Sequence, residues 1–146
     1  MPSESDLIKL YSGKILKMAA EPIYRERLSE PDASVTKRSP LCGSAITVDL
    51  NVESGVITHY GQEVRACALG QASSTIVGKS IVGRSIREVR KAYEELSDML
   101  KNNGPTPSEP FDDLYVLKPA AEYKNRHASI LLPLEATLAA FQKIED

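Results

Sequence analysis

Ile46-Thr47-Val48-Asp49-Leu50-Asn51-Val52 alternates apolar and polar side chains, the period of a strand with one face buried and the other wet. Such a strand needs neighbours, and the flanking sequence supplies them. Upstream, residues 33–38 suit an edge strand, which Pro40 stops because proline has no N–H to give to a ladder. Downstream, Glu53-Ser54-Gly55 makes a turn into a strand over residues 56–60. Gly61-Gln62 reads as a second turn, leading into residues 63–66. The result is an antiparallel meander that ends just before Cys67.

Helical patterns surround this sheet. Ser3 and Asp6 have the spacing of a capping box, and Leu7, Tyr11, Ile15 and Met18 recur at helical intervals until Pro22. Small and apolar residues at 69–82 suit a helix packed closely on the sheet, with Gly83 as its interruption. Ser85 and Glu88 form a second capping box, followed by the apolar stripe Ile86, Val89, Tyr93, Leu96 and Leu100, through about Lys101. That stripe is read as core. Residues 102–110, with Gly104, Pro105, Pro107 and Pro110, form a loop. A short helix is expected at residues 111–117, and Pro133 is placed in the first turn of a last helix carrying Leu134, Leu138 and Phe141. The expected fold is α+β: one domain over residues 1–146, a small antiparallel sheet with helices packed mainly on one face.

Composition narrows the function. At 146 residues the chain can bury a real core without a metal or disulfide staple, so a metal site in it would serve function. With 42% hydrophobic residues, 26% charged residues and a net charge of −2, it has the balance of a soluble globular protein and no electrostatic reason to bind nucleic acid. The apolar run Ile130 to Leu132 is too short to span a bilayer, and no signal-peptide core opens the sequence, so a cytoplasmic location is expected.

Cys42 and Cys67 are the two cysteines. A free cysteine is often just a small buried hydrophobe, and in an exported protein two could pair; in a reducing compartment, thiols or metal ligands are the alternatives. Cys67 precedes a predicted helix, where unpaired N–H groups favour an anionic sulfur. Cys42 lies between Pro40 and Gly43, in a loop able to bend tightly.

The motifs Leu41-Cys42-Gly43-Ser44, Ala66-Cys67-Ala68-Leu69, Ala72-Ser73-Ser74, Gly78-Lys79-Ser80 and Arg126-His127-Ala128-Ser129-Ile130-Leu131 resemble those of the NifU/IscU family of iron–sulfur cluster scaffolds. The long interval from Cys67 to Ala128, with its proline loop, is similar to the SufU-type branch, and the likeness runs along nearly the whole chain. It implies a SufE/NifU-like fold. It also implies that the Cys42 loop, the start of the Cys67 helix and the His127 segment converge at one sheet edge. Two positions depart from the family pattern: Ser44 stands where the family has Asp, and Ala128 where it has a third cysteine.

The resemblance therefore implies a ligand set of Cys42, Cys67 and His127 for iron or a labile iron–sulfur cluster of the 2Fe–2S type, since imidazole can replace thiolate on an iron. Water, a partner's residue or a second protomer in a homodimer could supply a fourth ligand. Cys67 is also the candidate sulfur acceptor. The protein would act as a scaffold or carrier without turnover, with a cysteine desulfurase and apo-protein acceptors as partners. Two alternatives are a zinc-binding sulfur acceptor and a degenerate relative that regulates the desulfurase without holding a cluster. His127 can equally be a solvent-facing helix residue, and His59 is read as a surface strand residue. Gly78-Lys79-Ser80 is not a phosphate loop, because Ser73 stands where the first glycine is needed and the segment lies in a helix. No Gly-x-Ser-x-Gly elbow is present, which removes the commonest hydrolase signature. Lys37-Arg38 and residues 124–126 are small basic clusters, solvated surface or docking contacts for the desulfurase.

Overall fold

Strands β1 (Ala33–Arg38), β2 (Ala45–Glu53) and β3 (Val56–Arg65) form an antiparallel sheet in the order β1-β2-β3. The computed structural model describes residues 13–21, 26–40 and 43–145. The register places Ala33 against Leu50 and Val35 against Val48 on one side of β2. On the other side, Leu50 faces Tyr60, Val48 faces Gln62 and Ile46 faces Val64. The alternation seen in the sequence is thus the inner face of the sheet, and Ile46, Val48 and Leu50 are fully buried there. Burying each of these side chains contributes about 2 kcal/mol. Ser54 and Gly55 both adopt positive φ, 52° and 79°, the geometry of a two-residue hairpin turn whose twist matches the strands it joins.

β3 does not turn at Gly61-Gln62 but continues to Arg65, with Gly61 in register opposite Asp49. The glycine has a packing role instead. A Cβ there would lie 2.5 Å from the Glu26 carbonyl oxygen and 3.1 Å from the Leu28 nitrogen, so glycine lets residues 26–28 lie against the outer face of the sheet.

Among the described residues the helices are α1 (Gly13–Ala20), α2 (Ala68–Ser80), α3 (Ile86–Lys101), a 3-10 helix (Asp112–Glu122) and α4 (Lys124–Glu145). The early part of the expected N-terminal helix, with Ser3, Asp6, Leu7 and Tyr11, lies outside the described residues, as does Pro22; the helix seen ends at Ala20. α2 closes at Ser80, two residues earlier than the sequence pattern suggests, and Val82-Gly83 turn the chain, with Gly83 at φ +92°. α3 begins with the expected capping box: the Glu88 N–H donates to the Ser85 hydroxyl, and the Ser85 N–H donates to the Glu88 carboxylate. Its stripe is core, with Val89, Ala92, Leu96, Met99 and Leu100 buried.

The segment after the proline loop is a 3-10 helix that runs five residues beyond the expected 117. A larger correction concerns α4, which begins at Lys124, so that Pro133 lies in its middle and not in its first turn. Proline has no N–H to give the Ser129 carbonyl, a cost of about 3 kcal/mol in an isolated helix. Burial on every side offsets it: Ile130, Leu131, Leu132, Pro133 and Leu134 are all buried. α4 packs on β1 and β2 and against α2 and α3, so the helices cover the inner face of the sheet. The outer face stays polar around Thr36, Arg38, Thr47, Glu63 and Arg65. No helix among the described residues is long and apolar enough to cross a membrane.

Candidate functional site

The candidate residue Cys67 lies where β3 hands over to α2. Cys67 is the N-cap of α2, with φ −65° and ψ 171°, and its carbonyl accepts the first helical bond from the Gln71 N–H at 2.9 Å. The side chain of Gln71 donates to the Ala66 carbonyl at 2.9 Å and fixes the same corner. The thiol of Cys67 makes no capping bond, so its sulfur is left for other chemistry at the positive end of the helix. It is half-buried and lies 3.8 Å from the Ser129 hydroxyl oxygen.

Ser129 sits in the second turn of α4, fully buried, with its hydroxyl 2.9 Å from that of Ser44. Ser44 directly precedes β2, whose first residue, Ala45, pairs with Arg65 at the end of β3. Its carbonyl accepts from the Ser39 N–H at 2.7 Å, while the Ser39 carbonyl accepts from the Gly43 N–H at 3.0 Å. Gly43 has φ +69°, a conformation natural to glycine, so the loop closes tightly as its sequence implies. Cys42 lies outside the described residues. Ser44, two residues after it, meets α4 at Ser129, which in turn reaches Cys67 at the start of α2.

His127 is buried rather than solvent-facing. Its Nε2 lies 3.1 Å from the Ala120 carbonyl oxygen and 3.0 Å from that of Ala121. Carbonyl oxygens only accept, so Nε2 carries the proton, and in the neutral ring Nδ1 holds the lone pair. His127 and Ala128 line a cleft of about 490 Å³ together with Leu100, Lys101, Lys124 and Glu135. Among the described residues no three His, Cys, Asp or Glu side chains are grouped to hold a metal ion.

Cys67 is not among the residues that line this cleft, so among the described residues it is Ser129, not His127, that α4 brings to the Cys67 corner. The remaining sequence candidates also lie away from this corner. His59 is exposed on β3, opposite Asn51. Gly78-Lys79-Ser80 lies within α2, where Lys79 pairs with Glu21 at 2.8 Å and Ser80 donates to the Pro110 carbonyl at 3.0 Å, so no phosphate cradle forms. Lys37 and Arg38 are exposed on β1 and Lys124 on α4, while Arg126 is half-buried. Sequence reasoning missed the Ser44–Ser129 pair, although Ser44 stands at the family's Asp position and Ser129 follows Ala128 in the quoted motif.

Residues 10–128 match the family described as the NifU-like N-terminal domain. The chain belongs to that family. Among solved structures, the N-terminal NifU-like protein of Brucella abortus superposes with a TM-score of 0.93 and 41% identity, over 96% of this chain and 97% of that one. FiSufU of the thermophile Fervidobacterium islandicum AW-1 shares the fold at a TM-score of 0.80 and 18% identity, over 91% of this chain and 97% of its own. The iron–sulfur cluster assembly scaffold protein IscU of Thermotoga maritima is 30% identical over 90 residues, 62% of this chain and 63% of that protein. The alignment thus spans less than two thirds of that curated relative. The α+β architecture read from the sequence is the one this NifU-like fold has.

Proposed function

We propose that this NifU-like protein is an iron–sulfur cluster scaffold or carrier: it receives iron and sulfide, holds a labile cluster as cargo and passes it to apo-proteins, supplying ligands and no turnover. The observation that carries the reading is the convergence at the sheet end. Cys67 presents an uncapped sulfur at a helix N-terminus. Ser44, two residues after Cys42, reaches the same corner through Ser129. Family membership and the name of the Thermotoga maritima relative point the same way.

In this reading Cys42 and Cys67 supply thiolates to a cluster of the 2Fe–2S type. His127 supplies its Nδ1 lone pair, the tautomer being fixed by the carbonyls of Ala120 and Ala121. Two thiols and one imidazole fit an exchangeable cargo better than a permanent cofactor, because four ligands hold a cluster firmly and this set leaves one position to water, a partner or a second protomer. A cysteine desulfurase is the expected sulfur donor in the cytoplasm: the Cys67 thiolate takes the outer sulfur of the donor's persulfide, leaving the donor's thiolate, and an external two-electron reductant then releases that sulfur as sulfide.

Oxygen-free reconstitution with ferrous iron and sulfide tests the proposal. Charge-transfer absorption and stoichiometric acid-labile sulfide are expected, both lost in Cys42→Ser and in Cys67→Ser. A colourless, iron-free product rejects cluster assembly, and stoichiometric zinc in freshly purified protein would instead mark a zinc-bound sulfur acceptor. One observation favours a second reading, that of a desulfurase regulator without cargo: Ala128 offers a methyl group where the resemblance expects a thiolate. Undiminished cellular activity of a Cys42→Ala, Cys67→Ala double variant would select it.

A further inference from the structure

Two buried hydroxyls stand behind Cys67. The Ser44 and Ser129 oxygens are 2.9 Å apart, with the residues only 2% and 1% exposed, and Ser129 alone of the pair continues to the sulfur, at 3.8 Å. Gly70 makes this approach possible. A Cβ at position 70 would lie 2.4 Å from the Ser129 hydroxyl oxygen and 2.7 Å from the Ala66 Cβ. Glycine weakens a helix relative to alanine, so α2 gives up some local stability at the turn where Ser129 must come close.

Only one proton can lie on the line between two hydroxyl oxygens. If Ser129 donates to Ser44, it turns a lone pair toward Cys67, which suits a protonated thiol acting as donor. If Ser44 donates to Ser129, the Ser129 proton is released toward the sulfur. A sulfur bound to iron carries no proton and can only accept, so loading selects the second orientation.

We infer that Ser129, oriented by Ser44, is a positioning residue for Cys67: it holds the sulfur in place and donates a hydrogen bond to it while it carries iron. The inference deepens the scaffold reading and rests on it for the loaded state. A hydrogen bond to a ligating sulfur draws charge from the cluster and favours its reduced form. Ser44 and Ser129 thereby set how readily the cargo is reduced, without touching iron.

Two measurements on the full chain test this. In a Cys42→Ser background Cys67 is the sole thiol, and its S–H stretching band, in a region clear of other protein bands, reports contacts at the sulfur without any cluster. Ser129→Ala is expected to shift that band. Ser44→Ala, which keeps the Ser129 hydroxyl but removes the group that orients it, is expected to shift it less and serves if Ser129→Ala fails to fold. In the reconstituted protein with both cysteines, Ser129→Ala is expected to lower the reduction potential, again with a smaller change in Ser44→Ala. An S–H band untouched by both substitutions overturns the inference, as does an unchanged potential. If the parent chain assembles no cluster, the scaffold reading fails, and the S–H band still decides whether Ser129 touches Cys67.

Discussion

Arg27 and Asp49 join residues 26–28 to the outer face of β2, with Nε 2.7 Å from one carboxylate oxygen and a terminal guanidinium nitrogen 3.1 Å from the other. The Leu28 N–H and the Ser34 hydroxyl complete the set at 2.9 and 2.6 Å. The Asp49 side chain is wholly buried while Arg27 stays 45% exposed. Burial alone would push the Asp49 carboxyl up, but hydrogen bonds from Arg27, Ser34 and Leu28, with the Arg27 charge, outweigh it and hold the group below its ordinary value.

A carboxyl whose folded pKa is depressed contributes stability that is present above the unfolded value, near 3.8, and is lost as pH falls through the folded one. Asp49→Asn preserves shape but removes the charge, and leaves Arg27 able to turn to solvent. The expected loss is about 2 kcal/mol at neutral pH, measured by urea unfolding, narrowing as the parent is acidified below pH 3.8. A constant gap across the acid range would show that Asp49 is not held by these donors.

Gly61→Ala tests the close approach of residues 26–28. The added methyl group would meet backbone atoms, which cannot rotate away as a side chain does. A destabilisation of about 2 kcal/mol is expected, with no effect on assembled cluster per folded chain, because Gly61 lies mid-strand, away from Cys67. A neutral substitution would mean that the segment does not press on β3.

Ser85→Ala removes one half of the reciprocal cap on α3. The expected cost is about 1 kcal/mol, and Ser85→Asn or Ser85→Asp should recover most of it. Thermal unfolding of the three variants side by side measures the cap directly.

How much of this was legible varied with the kind of signal. Alternation at Ile46, Val48 and Leu50 and the Ser85–Glu88 pairing are local patterns with one physical solution each, and both are as the sequence implies. Gly61 and Pro133 misled because each is usually a local breaker, yet here each is fixed by a distant partner: the Glu26 backbone for the glycine, buried packing around α4 for the proline. At the site, the helix start at Cys67 and the tight turn at Gly43 were legible as local geometry. The burial of His127 under the Ala120 and Ala121 carbonyls was not, since it depends on the 3-10 helix folding back on α4, and no periodicity encodes that contact.

His127→Gln separates ligation from packing. Glutamine can still donate to the carbonyls of Ala120 and Ala121 but has no ring lone pair. The fold should lose no more than about 1 kcal/mol, while a reconstituted cluster should bleach faster than in the parent under an apo-protein acceptor or a chelator. Equal lifetimes would remove His127 from the ligand set and leave it a buried structural residue.

Ala128→Cys asks the same question from the opposite direction. Position 128 is half-buried beside His127 on the wall of a cleft of about 490 Å³, so a sulfur fits there without displacing core side chains. A change at such a site should alter the stability of the cluster-free chain by less than about 0.5 kcal/mol. If Cys42 and Cys67 already grip the cargo with His127, a third thiolate raises the ligand count to four, and the cluster should persist several times longer against chelation and transfer more slowly to an acceptor. Adding Cys67→Ser to Ala128→Cys should abolish that gain, because one new thiolate cannot replace the sulfur at the start of α2. A longer lifetime that survives loss of Cys67 would place the cluster elsewhere on the molecule, whereas no gain at all would mean that position 128 does not face the cargo.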